Sequence, residues 1–173
     1  GHIAAVGFDL YCQLLHQSVE RLSGRTVLRR TDVVLRVDFL AFSESRYEDS
    51  DKEQLPAYIP AGYITDPKAR LAAYRELASL AGQDELRSYE ERLRDRFGRI
   101  PLPARNLIQV SQLRLEAAAA GAEMVEIRGD RLMVQRNGGY LMLDNCHFPR
   151  LRSRDANSIL REAVEWLESL NRP

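Results

Sequence analysis

Near Gly121 the apolar residues of this chain change their period. From Asp66 up to that glycine they recur every three or four positions, the repeat of a helix that buries one face. Beyond it they alternate with polar residues, the repeat of a strand whose side chains point to opposite faces in turn. The helical period returns once more, after Asp155. Runs of helices followed by a run of short strands are the element order of an α+β fold. The pattern predicts an α+β fold: several helices packed with a small, mainly antiparallel sheet, preceded by an extra N-terminal helix.

Residues 6–23 read as that extra helix. Val6, Leu10, Tyr11, Leu14, Leu15, Val19 and Leu22 line one face, and Ser23-Gly24 ends it. Residues 33–42 read as a strand. The stretch 43–53 holds five acids against two bases and almost no apolar side chain, so it reads as a solvated, mobile loop reaching to about residue 55. Residues 56–64, with prolines and a glycine among aromatics, read as an extended segment on the core. Asp66-Pro67 opens a helix as cap and first helical residue. Its stripe is Leu71, Tyr74, Leu77, Ala78 and Ala81, and Gly82 stops it. Asp84 caps the next helix, which carries Leu86, Tyr89, Leu93 and Phe97 and ends at Gly98. Pro101 and Pro103 restart the chain into a long helix over 103–120, whose apolar stripe is wide enough to make it central. Residues 124–127, 131–135 and 140–143 then form a three-stranded meander, turning at Gly129-Asp130 and Asn137-Gly138. A final helix covers about 155–170.

A chain of 173 residues is one domain, or one domain with an appendage. It can bury roughly 70% of its unfolded surface, so it needs no disulfide or metal staple. Lys+Arg and Asp+Glu each number 25, and the formal net charge of zero argues against a dedicated nucleic-acid binder, which needs a surplus of cations. A local basic patch is still compatible with that balance. Lys52 and Lys68 are the only lysines, and an arginine-rich surface suits salt-bridged protein interfaces. No secretory segment opens the chain, and no run approaches the ~20 apolar residues of a membrane span. Cys12 and Cys146 are therefore expected as free thiols in the cytoplasm, with no membrane association.

The sequence carries no Gly-rich loop ending in Gly-Lys-Ser/Thr, and no Gly-x-Gly-x-x-Gly, His-Glu-x-x-His or Gly-x-Ser-x-Gly. No catalytic or cofactor-binding residue is assigned, no cofactor is expected, and the chain is not read as an enzyme. Cys12 and His16 lie one helical turn apart, and Cys146-His147 could complete a zinc site with them. Adjacent Cys-His is poor ligand spacing, and cysteines read as small hydrophobes are preferred, so no metal is assigned. Carboxylate pairs such as Glu90 and Glu91 read as the solvated face of a helix, because nothing marks a cleft around them. Arg92, Arg94, Arg96 and Arg99 sit among Glu85, Glu90, Glu91 and Asp95 and read as ion-paired. Arg150, Arg152 and Arg154 have only Asp155 close in sequence and stay open as a nucleic-acid-contacting patch.

Three ordered stretches carry a family resemblance. The first is Gly1-His2-Ile3 with Val6-Gly7-Phe8-Asp9-Leu10-Tyr11, then Leu14-Leu15 and Val19. The second is Ile59-Pro60-Ala61-Gly62-Tyr63-Ile64 with Arg70-Leu71 and Tyr74. The third is Leu93-Arg94-Asp95-Arg96-Phe97-Gly98 with Pro101, Pro103 and Asn106-Leu107. In this order and spacing, over about residues 1–120, they resemble the C-terminal end of the bacterial transcription-repair coupling factor (Mfd) family. The resemblance implies a parent that is an ATP-driven DNA translocase, displacing stalled RNA polymerase and recruiting the damage sensor UvrA. Its motor and P-loop lie upstream of this segment. Residues 1–24 would be the linker helix leaving the motor, and 25–173 the regulatory terminal domain. That domain would be an autoinhibitory clamp, docked on the N-terminal UvrB-like module of the same protein and masking its UvrA-binding surface. DNA would be contacted by the motor rather than clearly by this chain. By the same resemblance the interface includes Asp95, with Glu91 and Arg92 beside it. An acid is expected at position 92, where this sequence has arginine. Read locally, Asp95 could equally form an intrahelical pair with Arg92 or Arg99. Tyr63 and Tyr74 read as core tyrosines, Phe97 as an anchor and Gly98 as a helix cap.

Overall fold

The computed structural model describes residues 33–49, 54–144 and 146–172. The helix expected over 6–23 lies outside them. The chain divides into two compact units, and the described parts are 40–111 for the first and 33–39 with 112–172 for the second. The chain crosses between them after Phe39 and again after Ser111.

In the first unit, strands β2 (Leu40–Ala41) and β3 (Leu55–Pro56) pair in parallel, Leu40 opposite Leu55 and Ala41 opposite Pro56. Between them residues Glu44–Asp49 form a short helix, α1, where the polarity of 43–53 reads as loop. Charge-rich composition does not distinguish a solvated loop from a solvated helical turn. Beyond β3, Ala57, Tyr58 and Ile59 are buried, as expected for an extended segment on the core. Helix α2 (Pro67–Ser79) starts as the sequence predicts. The Asp66 side chain accepts from the Lys68 and Ala69 amides, at 3.3 and 3.2 Å. It stops at Ser79 with Leu80 as its C-cap, three residues before the glycine that was to end it. Gly82 instead starts helix α3 (Gln83–Phe97) as its N-cap, and Asp84 lies inside the first turn rather than at the cap. Both acids of that turn, Asp84 and Glu85, suit the positive end of the helix dipole. The Glu85 carboxylate also accepts the Ala81 amide at 3.1 Å. Gly98, at φ +83°, ends α3 in a conformation that favours glycine, and its amide donates to the Arg94 carbonyl at 2.9 Å.

Three polar ties hold this unit together. The Tyr89 hydroxyl of α3 donates to the Ala73 carbonyl of α2 at 3.0 Å. The Ile59 amide donates to the Tyr74 hydroxyl oxygen at 2.7 Å. The buried Asn106 amide, on the first half of helix α4 (Leu102–Ala119), donates to the Pro56 carbonyl at 2.7 Å. Around them Leu77, Leu86, Leu93, Leu107 and Val110 are buried.

The second unit contains the expected meander. β4 (Met124–Arg128) and β5 (Arg131–Arg136) pair antiparallel, and β5 pairs with the two-residue β6 (Gly139–Tyr140). The first turn has positive φ at Gly129 and the second at both Asn137 and Gly138. These are the demands of the two tight hairpin turns that match strand twist. Strand β1 (Val34–Val37) joins this sheet in parallel with β4, giving the order β1-β4-β5-β6. The strand expected over 33–42 is therefore two strands, β1 and β2, and they belong to different sheets. Val125, Ile127, Leu132 and Val134 bury one face of the hairpin. Helix α5 (Ala156–Asn171) starts at Asp155, whose carboxylate accepts the Ser158 amide at 2.9 Å. Its Ile159, Leu160, Ala163, Val164 and Leu167 are buried. The Asn171 side chain closes its far end by donating to the Glu116 carboxylate at 2.8 Å.

Candidate functional site

The helical period turns Leu86, Tyr89 and Leu93 of α3 into the core, which leaves Ser88, Glu91, Arg92 and Asp95 facing outward. With Arg94 these four line a shallow, open depression. The three interface residues expected from the sequence thus lie together on one face of one helix.

Of the arginines around the depression, Arg87, Arg92 and Arg94 are ion-paired, whereas Arg96 and Arg99 make no ion pair among the described residues. Arg87 pairs with Asp84. Arg92 pairs with Glu76 across on α2. Arg94 pairs with Glu90 at 2.8 Å. The Arg96 guanidinium lies 4.9 Å from the centre of the Phe97 ring. Glu91 and Asp95 make no ion pair among the described residues. The intrahelical partners considered for Asp95, Arg92 and Arg99, therefore do not hold it. The expected ion-pairing of the arginine cluster is present for Arg94. For Arg92 the partner, Glu76, is too far away in sequence to be read from local spacing.

Two free carboxylates one turn apart repel by a few tenths of a kcal/mol on an exposed helix. Asp95 also stands in the last turn, next to the negative end of the helix dipole. Both effects would be relieved by a cation arriving from outside. The local structure tolerates them because the last turn is secured. The half-buried Tyr63 sets its ring edge against Phe97, with centroids 6.0 Å apart. Its hydroxyl lies 3.2 Å from the Leu93 carbonyl oxygen and 3.0 Å from that of Gly98. Burial raises the Tyr63 phenol above its ordinary value, with Arg94 opposing, so it remains a donor at neutral pH. Tyr74 fits the core reading. Tyr63 does not, and its proximity to α3, thirty residues on in sequence, could not be read from spacing.

The second arginine group behaves differently. Arg150 pairs with Asp130 at 2.7 Å, and this hydrogen bond holds the Asp130 carboxyl below the usual carboxylate range. The amides of Arg152 and Ser153 donate to Glu162 at 2.8 and 2.9 Å, lowering that carboxyl in turn. The Arg152 and Arg154 side chains are exposed and make no ion pair among the described residues. Cys146 and His147 touch, with Sγ 2.9 Å from Nδ1. No group of three potential metal ligands occurs among the described residues, and Cys12 and His16 lie outside them. No described helix is long and apolar enough to cross a membrane.

Residues 54–138, which include α2, α3, α4 and the β4–β5 hairpin, match the TRCF domain. The chain carries a TRCF domain. Its relatives are long proteins named transcription-repair-coupling factor. The one from Staphylococcus epidermidis is 25% identical over 186 residues, covering 98% of this chain and 14% of its own length. The one from Mycobacterium tuberculosis is 33% identical over 123 residues, or 70% of this chain and 9% of that protein. The one from Escherichia coli is 31% identical over 133 residues, or 73% and 10%. The chain thus spans about a tenth of the length of these relatives. A crystal structure of the C-terminal domain of a transcription-repair coupling factor shares the fold. Its TM-score is 0.61 at 16% identity, over 80% of this chain and 91% of that one. The chain therefore resembles transcription-repair-coupling factors in sequence and the C-terminal domain of one such factor in fold.

Proposed function

We propose that this TRCF domain is a non-catalytic regulatory module that works by docking. Its ligand is the N-terminal UvrB-like module of the same parent protein, a cytoplasmic ATP-driven DNA translocase that displaces stalled RNA polymerase. Docked, it masks the surface that recruits UvrA; released, it exposes that surface. The observation that carries this reading is the pairing on the α3 face: Arg87, Arg92 and Arg94 are ion-paired to Asp84, Glu76 and Glu90, while the Glu91 and Asp95 carboxylates are in no ion pair among the described residues. An exposed pair of carboxylates without a direct ion-pair partner, on a secured helix end, can accept a cationic counterpart, and arginine fits a carboxylate in two-pronged fashion. Charge complementarity of this kind sets register and association rate more than affinity, which suits a clamp that must let go. The arginine at position 92 does not spoil the site, because Glu76 already claims it.

The test is Asp95→Arg in the full-length parent. UvrA binding should rise on the order of tenfold, corresponding to about 1.4 kcal/mol of lost docking. In the isolated chain, stability should change by no more than about 0.5 kcal/mol, since the site is exposed. Unaltered UvrA binding would remove Asp95 from the clamp.

A second reading, a nucleic-acid-contacting accessory surface, draws on the exposed Arg152 and Arg154. With Arg150 already held by Asp130, two side chains are available. The salt dependence of any DNA binding should then have a slope no steeper than about −2. A slope unchanged in Arg152→Ala/Arg154→Ala would discard this reading.

A further inference from the structure

We infer that Tyr63 is a positioning residue for the docking face, holding the last turn of α3 so that the Asp95 carboxylate is presented in one geometry; this rests on the docking reading above. The last turn of a helix frays first, because its terminal carbonyls lack intrahelical donors. Asp95 is in that turn, and its charge adds to the strain there. The Tyr63 hydroxyl lies between two carbonyl oxygens that bracket Asp95, Leu93 at 3.2 Å and Gly98 at 3.0 Å. One proton shared between them ties the helix to the residue beyond its end. The support is itself fixed. The Tyr63 and Ile64 amides both donate to the Pro60 carbonyl, at 3.0 and 3.2 Å. The Arg70 guanidinium of α2 donates to the Ile64 carbonyl at 2.8 Å. The docking surface is therefore built from two segments, the α3 face and the 60–64 turn that latches it.

Tyr63→Phe keeps the ring against Phe97 and removes only the hydroxyl. Amide hydrogen exchange in the 173-residue chain should accelerate about tenfold at residues 95–98, with residues 86–90 unchanged. In the full-length parent the same change should raise UvrA binding by about three- to tenfold. In an Asp95→Asn background it should add nothing, because there is no longer a carboxylate to position. Unchanged exchange at 95–98 overturns the inference. So does faster exchange without a change in UvrA binding, or an effect that simply adds to that of Asp95→Asn, which would mark a structural role. If Asp95→Arg itself leaves UvrA binding unaltered, the docking reading fails, and the inference with it.

Discussion

Tyr74 and Asn106 show how single polar groups bind the first unit together. Tyr74 is 3% exposed, and burial pushes its phenol from 10 up to about 12, with the Ile59 hydrogen bond opposing. A phenol harder to ionise when folded contributes stability that is complete below pH 10. That stability is lost as pH rises from 10 through 12, where the unfolded chain ionises first. The loss should reach roughly 2 to 3 kcal/mol at pH 12, read as a fall in the urea midpoint between pH 9 and 12. Tyr74→Phe should flatten that fall while costing about 1 to 3 kcal/mol at neutral pH, because the Ile59 amide loses its acceptor. Asn106→Ala should cost a similar amount, since the buried Pro56 carbonyl is left without a donor. At this scale the sequence was informative about which residues are buried. It was silent about their partners. Tyr63 and Tyr74 look alike in the sequence, yet one is a core residue and the other a latch on α3.

At the scale of elements, the cap chemistry was legible wherever it is local. Asp66, Asp155 and Gly98 all sit at the helix ends they were expected to mark. Asp66→Ala should lower stability by about 1 kcal/mol, measured by urea unfolding. In α5, Leu167→Ala removes a fully buried side chain and should cost about 2 to 5 kcal/mol, depending on how far the site collapses. Two adjacent punctuation marks were harder to assign. Gly82 could end one helix or begin the next, and Asp84 could cap or sit in the first turn. With only two residues between Leu80 and Gln83, the choice depends on the packing of both helices. The short helix α1 was hidden by its own charge, because helix and loop are equally solvated there.

Across the molecule, the perturbed groups among the described residues separate by unit. The phenols raised by burial, Tyr58, Tyr63 and Tyr74, all lie in the first. The depressed carboxyls lie in the second. Asp130 is held down by Arg150, Asp155 by the Ser158 hydrogen bonds, and Glu162 by the Arg152 amide. A depressed carboxyl contributes stability that is present above its ordinary range near pH 4 and lost as pH falls through its lowered folded value. Asp130 and Asp155 are exposed, so solvent screening keeps the acid loosening of the second unit small, whereas alkali should loosen the first through the buried Tyr74. Amide exchange at pH 3 and pH 11 would show which amides open, and opening of the same unit at both extremes would refute the assignment. The order of helices, hairpin turns and final helix follows from hydrophobic period, caps and turn residues, all of which act over a few neighbouring positions and so are written into the chain. The division into two units, the placing of β1 beside β4, and the pairing of Arg92 with Glu76 that leaves Asp95 bare arise from contacts between distant segments. Local chemistry does not encode such contacts, because many partners of equal charge and polarity compete for each group until the chain is folded.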